Sequence, residues 1–491
     1  MKQNRIRAGV GGDVHWAARR GARDAKVDVV VVGGGVLGTS VAATLSTTTA
    51  SVCLVEAESD VAEGASKGNA GVAVSYYGPP GTLETQLITA STPRWEDLTS
   101  RLSVPYRRIG AVMVALDDEQ AHHLEETREE IHACGVRAEI VTAARARELE
   151  PLITDRCVAG LVMPDEGVID PIALTIAYAQ LAAHNGVDVR LDSPVYAIDP
   201  DTDGGHRVTT ASGTIRCSFV VNAAGVQAGR VSELAGGETL HYWPRKGQYA
   251  VLDRAFASAL RHIVFSTHSA TTKGINVVPT AHGSALIGPT ASDHDDPEDK
   301  STDLATIRAL VDSARTLVPT ITDDLIIKHF AANRPASDEQ HRLRFDTQVP
   351  TLLHCTNRSA GVSLSPAAGD YALALLRGAG LDAQPRPDAE AQLPPAPRLR
   401  QYPDPDELIR QDPQYGQVVC ACEHVSAAEI NRALAGPLAA TSIDGVRKRT
   451  TATYGRCQGA LCSAGISFLT ALSTGAGPRT VKQTARGTVG S

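Results

Sequence analysis

The stretch Asp28-Val29-Val30-Val31-Val32-Gly33-Gly34-Gly35-Val36-Leu37-Gly38 constrains this chain more than any other. A short β-branched run reads as a buried parallel strand. It runs directly into G-x-G-x-x-G, and a helical pattern follows from Val36 to Leu45. Ser51-Val52-Cys53-Leu54-Val55-Glu56 is a second strand, ending in an acid. This order predicts a βαβ unit that grips a dinucleotide. Gly33 permits the tight turn, Gly35 lets a pyrophosphate approach the backbone, and Gly38 allows close helix–strand packing. Val36 and Leu37 open the helix, whose free N–H groups and dipole face the anion. Glu56, 21 residues after Gly35, is placed to accept ribose hydroxyls and repels a 2′-phosphate.

The remaining pattern extends this unit. Ser218-Phe219-Val220-Val221-Asn222 runs into Ala223-Ala224-Gly225, and Thr351-Leu352-Leu353-His354-Cys355 leads to Gly361 and a helix over Ala367–Leu376. Between them, residues 92–150 are charged and helix-rich, and 241–330 alternate as strands do. The chain of 491 residues is long enough for about three domains. The expected fold class is α/β: a Rossmann-like dinucleotide-binding domain (27–91, 151–240, 330–380) interleaved with an α+β substrate lobe (92–150, 241–329). Residues 381–413, with eight prolines, read as a semi-rigid linker. A small helical domain over 414–472 follows, then a disordered tail, 473–491.

Net charge is −8, which disfavours general nucleic-acid binding. No run of 18 apolar residues occurs, so no transmembrane helix is expected. Residues 1–26 alone are basic, with seven Lys/Arg against Asp13 and Asp24. They read as disordered, with a membrane-surface tether as the alternative. Cysteine usage fits a reducing cytoplasm, with peripheral association at the inner face of a membrane also compatible.

Of nine cysteines, four fall close together at the end: Cys420-Ala421-Cys422 and, 34 residues on, Cys457-x4-Cys462. Four thiolates in two close pairs can hold [2Fe–2S] or Zn²⁺. His424 could replace a thiolate, but four cysteines already complete a set. The other five cysteines are scattered and read as buried thiols.

Several of these segments resemble known families. The glycine motif, the loop Ser66-Lys67-Gly68-Asn69-Ala70-Gly71-Val72, Asn222-Ala223-Ala224-Gly225 and Ser359–Pro366 resemble the glycine-oxidase/D-amino-acid-oxidase superfamily of FAD enzymes. That resemblance implies FAD contacts at Ser66, Asn69, Gly71, Val72, Ala224, Gly225, Gly361 and Ser365, with a helix N-terminus near Ala367 facing the reduced flavin. The segments around the four cysteines resemble the bacterioferritin-associated-ferredoxin-like [2Fe–2S] module, which also terminates the catalytic chain of anaerobic glycerol-3-phosphate dehydrogenases. Gly167–Pro171 and Pro244–Tyr249 resemble L-2-hydroxyglutarate dehydrogenases.

These resemblances imply an FAD-dependent dehydrogenase of a small hydroxy substrate, either glycerol 3-phosphate or a 2-hydroxy acid. Electrons would pass through the cluster to a quinone or a partner protein. An amine or amino acid is the alternative substrate, and a non-enzymatic redox- or iron-responsive binding protein a third reading. Arg334 resembles the superfamily's contact to the substrate acid, a role suited to a guanidinium. Lys273, Arg245 and Lys246 are further cations, and His329 is the candidate base. In the two dehydrogenase patterns histidines flank the Asn-x-Gly loop. Here those positions are Gly68 and Val74.

Overall fold

The computed structural model describes residues 23–267, 274–339 and 341–484. The basic segment up to residue 22, Lys273 and the end beyond Thr484 lie outside the described residues.

Ala25–Val32 forms the central strand of an eight-stranded sheet, parallel to Val52–Val55 on one side and Gly213–Asn222 on the other. Asp188–Arg190 and Leu352–Asn357 extend the parallel set. Val29, Val30 and Val31 are fully buried, because Val29 and Val31 face helices while Val30 packs toward the strands Val195–Pro200 and His206–Thr210 and the short helix Ala228–Leu234. The helices Val36–Ser46, Pro171–His184 and Gly361–Gly378 pack together on one face. Asp170 caps the second of these through Ile172 N and Ala173 N, with Pro171 at its first position.

A nine-stranded mixed sheet stands beside this domain, built around Tyr242–Leu252 paired with Ile326–Ser337. The helix Leu304–Leu317 seals its outer face by burying Ile307, Leu310, Val311, Ala314 and Leu317, spaced as a helical apolar stripe. The expected lobe boundaries at 150 and 329 cut this sheet. Ala159–Met163 pairs with Ala111–Ala115, and all of Ile326–Ser337 belongs here. An apolar strand looks alike in either sheet, because its partner lies far away in sequence.

The expected linker is a pinned strap. Leu381 and Ala383 are buried. Thr49 N donates to Gln384 O (2.8 Å), Arg386 N to Thr47 O (2.8 Å) and Leu393 N to Arg101 O (2.9 Å). The helix Pro405–Gln411, capped by Asp404, lies within it. The tail also departs from expectation as far as Thr484. Val481 is buried, and Ile443 N donates to Lys482 O (3.0 Å). Proline-rich composition rules out a core of the segment's own, but not adhesion to a neighbouring one. Among the described residues no helix is long and apolar enough to cross a membrane.

Candidate functional site

A cavity of about 1430 Å³ runs between the two sheets and reaches the C-terminal module. That exceeds the ~300–1,000 Å³ of an ordinary ligand pocket and leaves room for a dinucleotide and a substrate together. Gly33, Gly35, Val36 and Leu37 line one end. Gly33 has φ +111°, and a Cβ there would lie 2.5 Å from Ala223 O, so no side chain fits the turn. Gly38 sits behind, against Gly33 O, in the packing role expected of it. Ser66 Oγ accepts from Val36 N (2.9 Å) and ties the second loop to the helix N-terminus.

Glu56 lines the same end. Its carboxylate accepts from Gly34 N (2.6 Å) and Glu58 N (2.9 Å). Burial raises its pKa, and the two N–H groups oppose that. Asn69 closes its own turn, donating to Ser66 O (2.9 Å) and accepting from Gly71 N (2.8 Å). Gly71, Val72, Ala224 and Gly225 also line the cavity. Together these residues form a cradle of small side chains and exposed backbone that fits FAD.

Gly68 explains its own departure from the histidine pattern. A Cβ on it would lie 2.0 Å from Ala332 Cβ. The roof strand Ile326–Ser337 presses directly on this loop, so a histidine has no room.

The last cofactor loop differs from expectation. The helix begins at Gly361, not near Ala367, and Pro366 lies inside it. Proline has no N–H for the carbonyl four residues back, here Val362 O. Ser365 Oγ donates to that oxygen instead (2.9 Å). Ser365 is therefore buried helix repair, and Gly361 and Ser363 line the cavity. Ser363 Oγ accepts from Val74 N (3.0 Å).

On the roof, side chains alternate along Ile326–Ser337. Lys328 and every residue from Phe330 to Ala336 contribute to the cavity lining, with Ala332 against Gly68 of the cofactor loop. His329 points to the opposite, exposed side, which removes it as a base. Phe330 stacks on the cross-strand Tyr249 (centroids 4.7 Å, 7°). Arg245 is held bidentately by Asp293 (2.6 and 2.7 Å), and Lys246 by Asp299 (2.7 Å). Arg334 has no carboxylate within ion-pair range among the described residues, and its buried Nε has no partner.

Glu166 escaped the sequence reading, since Asp165-Glu166-Gly167 looks like a surface turn. It is buried in the cavity wall. Its Oε1 accepts from Ser75 N (2.9 Å) and Ser75 Oγ (2.6 Å), and Oε2 has no partner among the described residues. Burial pushes its pKa up to about 7. Tyr249 and Ser363 lie in the marked segments Pro244–Tyr249 and Ser359–Pro366 but were not singled out as site residues.

The four clustered cysteines meet in the C-terminal module. Cys420 lies against Cys462, and Cys422 against Cys457. The first pair is buried and the second half-buried. Backbone N–H groups of Leu461, Gly459 and Ala460 point at the Cys457 sulfur and hold its thiol below the usual value. Burial and neighbouring thiols push Cys462 up to about 12, a cost that a bound metal's charge removes. This donor set fits [2Fe–2S]. Gln458, next to Cys457, lines the large cavity together with Tyr454 and Arg447.

Comparison with known proteins accords with this geometry. The chain matches the "FAD dependent oxidoreductase" family over residues 28–375 and the "BFD-like [2Fe-2S] binding domain" over 418–469. It is 30% identical to a glycerol 3-phosphate dehydrogenase of Caloramator mitchellensis over 89% of this chain and 92% of that protein. It is 26% identical to an anaerobic glycerol-3-phosphate dehydrogenase chain of Haloferax volcanii, over 88% and 81%. The structure of an FAD-bound L-α-glycerophosphate oxidase from Mycoplasma pneumoniae superposes with a TM-score of 0.71 at 26% identity, covering 75% of this chain and 99% of that one. The chain belongs to the FAD-dependent oxidoreductase family and carries a C-terminal BFD-like [2Fe–2S] domain.

Proposed function

We infer that the protein is a glycerol-3-phosphate dehydrogenase that oxidises the substrate's secondary alcohol and passes the electrons to its own cluster. One observation carries this reading: among the described residues Arg334 faces the cavity with no carboxylate in ion-pair range, though near enough to Asp293 to favour its ionised form, while Arg245 and Lys246 are held directly by Asp293 and Asp299. An unpaired, partly buried guanidinium matches a small phosphate bidentately. The relatives named for glycerol 3-phosphate point the same way.

Bound FAD supplies the hydride acceptor. Gly33–Gly38, Glu56 and the Ser66–Val72 loop hold it, and Arg334 orients the substrate beneath the Tyr249–Phe330 roof. Glu166 Oε2 takes the hydroxyl proton. Cys420, Cys422, Cys457 and Cys462 hold the cluster, and the cavity ends one residue from Cys457.

The test is anaerobic flavin bleaching with glycerol 3-phosphate, L-2-hydroxy acids and amino acids. Glycerol 3-phosphate is expected to reduce the flavin most efficiently. The rate rises with pH through about 7, because only ionised Glu166 accepts a proton. Glu166→Gln lowers the rate and flattens that limb. The same burial stabilises the protonated fold. That stability is complete below the ordinary 4.5 and is lost as pH rises through about 7. The cost at pH 8 is about 3 kcal/mol, so Glu166→Gln melts higher there. Preferential bleaching by an amino acid refutes the substrate, and an unchanged pH profile in the variant refutes the base.

A further inference from the structure

We propose that the outer face of the cluster module docks a small acidic redox protein that takes electrons from the cluster. The proposal rests on the reading above in one respect, that electrons leave through this module. Among the described residues, Leu461 (75% exposed), Phe468 (55%), Leu472 (65%) and Val418 (50%) all lie here. The helix Ser463–Thr474 buries Ile466, Ser467, Thr470 and Ala471 and turns Phe468 and Leu472 outward. Leu461, seven residues before Phe468, continues that face at helical spacing. It lies inside the Cys457–Cys462 loop, so the stripe starts at the cluster itself. Val418 joins it through Val419, which packs beside Gly465. Exposed apolar stripes of this kind mark binding faces.

Charge identifies the occupant. Residues 414–484 contain only three acids, Glu423, Glu429 and Asp444. All three are buried and engaged: Glu423 with Arg254 and Arg400, Glu429 with Ser426, and Asp444 with Arg447 and Lys67. The exposed charges of the module are Arg432, Arg456, Arg479 and Lys482. Arg456 is paired with Asp253 (3.0 Å), which leaves Arg432, Arg479 and Lys482 as exposed cations with no exposed acid within 414–484, and an apolar centre with such a rim complements an acidic partner. A second copy would set cation against cation. A membrane-bound helix carries Lys and Arg along its polar face, whereas Ser463–Thr474 has none. The transfer itself makes no bond: the reduced cluster loses one electron, and the partner's redox centre gains it.

The test uses the purified holoenzyme, its cluster reduced with dithionite and the excess removed, so the result does not depend on the substrate. The probes are cytochrome b5, which is acidic, and cytochrome c, which is basic. Cytochrome b5 is expected to be reduced at least about tenfold faster at low salt, with the advantage lost as salt rises. Phe468→Glu and Leu472→Glu each lower that rate about tenfold and abolish calorimetric binding of cytochrome b5. Reduction of ferricyanide, which needs no docking, stays unchanged. Arg479→Glu weakens the same reaction without touching the apolar stripe. Faster reduction of cytochrome c, or indifference to Phe468→Glu, overturns the proposal. So does wild-type binding to phosphatidylglycerol vesicles, or a dimer in sedimentation, that Phe468→Glu abolishes. A flavin that glycerol 3-phosphate fails to bleach refutes the function proposed above and leaves this test intact.

Discussion

Replacing Arg334 with alanine is expected to cut the efficiency of flavin reduction by glycerol 3-phosphate roughly a hundredfold, since charge-assisted hydrogen bonds to an anion contribute about 3 kcal/mol here. The cations of the paired strand Tyr242–Leu252 cannot compensate. Arg245 is clamped by Asp293 and Lys246 by Asp299. The guanidinium contacts a part of the substrate that does not react, so most of the loss falls on the half-saturation concentration. Some falls on the limiting rate, because the carbon is held less well. Arg334→Lys keeps the charge but loses the planar fork, and should lie between. Folding is not at stake, because Arg334 has no ion-pair partner among the described residues to abandon. Stopped-flow bleaching under anaerobic conditions reads both constants. If both are unchanged in the alanine variant, the substrate's anion lies elsewhere and the proposed orientation fails.

The site was legible where chemistry leaves a local mark. A phosphate approaching the backbone demands glycine at set spacings, and Gly33, Gly35 and Gly38 stand there. Paired thiolates demand cysteine, and nothing else in the chain repeats that spacing. The reading failed where meaning depends on which way a side chain points. His329 and Arg334 sit five residues apart on one strand, so alternation sends them to opposite faces. Ser365 and Ser363 differ by one turn-half of a helix that starts earlier than Pro366 suggested. Glu166 could not be read at all. Its raised pKa comes from burial between Ser75 and the cavity, and burial is a property of the fold.

The same division holds for the architecture. The βαβ opening follows from local periodicity, and Val29–Val32 and Val52–Val55 form as expected. Long-range assembly does not follow. Composition made 381–413 a tether, but its backbone is pinned to Thr47, Thr49 and Arg101. The charge-rich run Arg447-Lys448-Arg449 carries no local mark of burial. Lys448 is nonetheless fully buried, and its partners lie more than 380 residues away in sequence. An ion pair between such distant residues carries no signal in either local segment.

That buried network makes the second large effect. Asp60 accepts both Arg449 nitrogens (2.7 and 2.8 Å) and pairs with Lys448 Nζ (2.9 Å). Lys448 also reaches Glu63 (2.5 Å) and Val61 O (2.9 Å). Burial opposes ionisation of Asp60, but Arg449 and Lys448 outweigh it and hold the carboxyl below its ordinary value. Asp60→Asn keeps the shape and removes the charge, leaving two buried cations short of a carboxylate. Breaking such a pair from one side costs about 3 kcal/mol or more, and the cost falls on the seam between cluster module and FAD domain. The variant is therefore expected to lose the module's docking before the FAD domain melts. The visible cluster bands should then change at lower temperature than flavin release, and protease should cut the strap near 384–397 sooner. Electron passage from substrate-reduced flavin to cluster should slow as well, because Gln458 and Tyr454 leave the cavity wall. Acid acts on the same carboxyl. Its depressed pKa means the stabilisation is complete above the ordinary 3.8 and is lost as pH falls below that. The wild-type module should thus stay docked through mild acid. Coincident, unshifted transitions in Asp60→Asn, with strap cleavage at the wild-type rate, would show that apolar packing at this seam suffices without the charges.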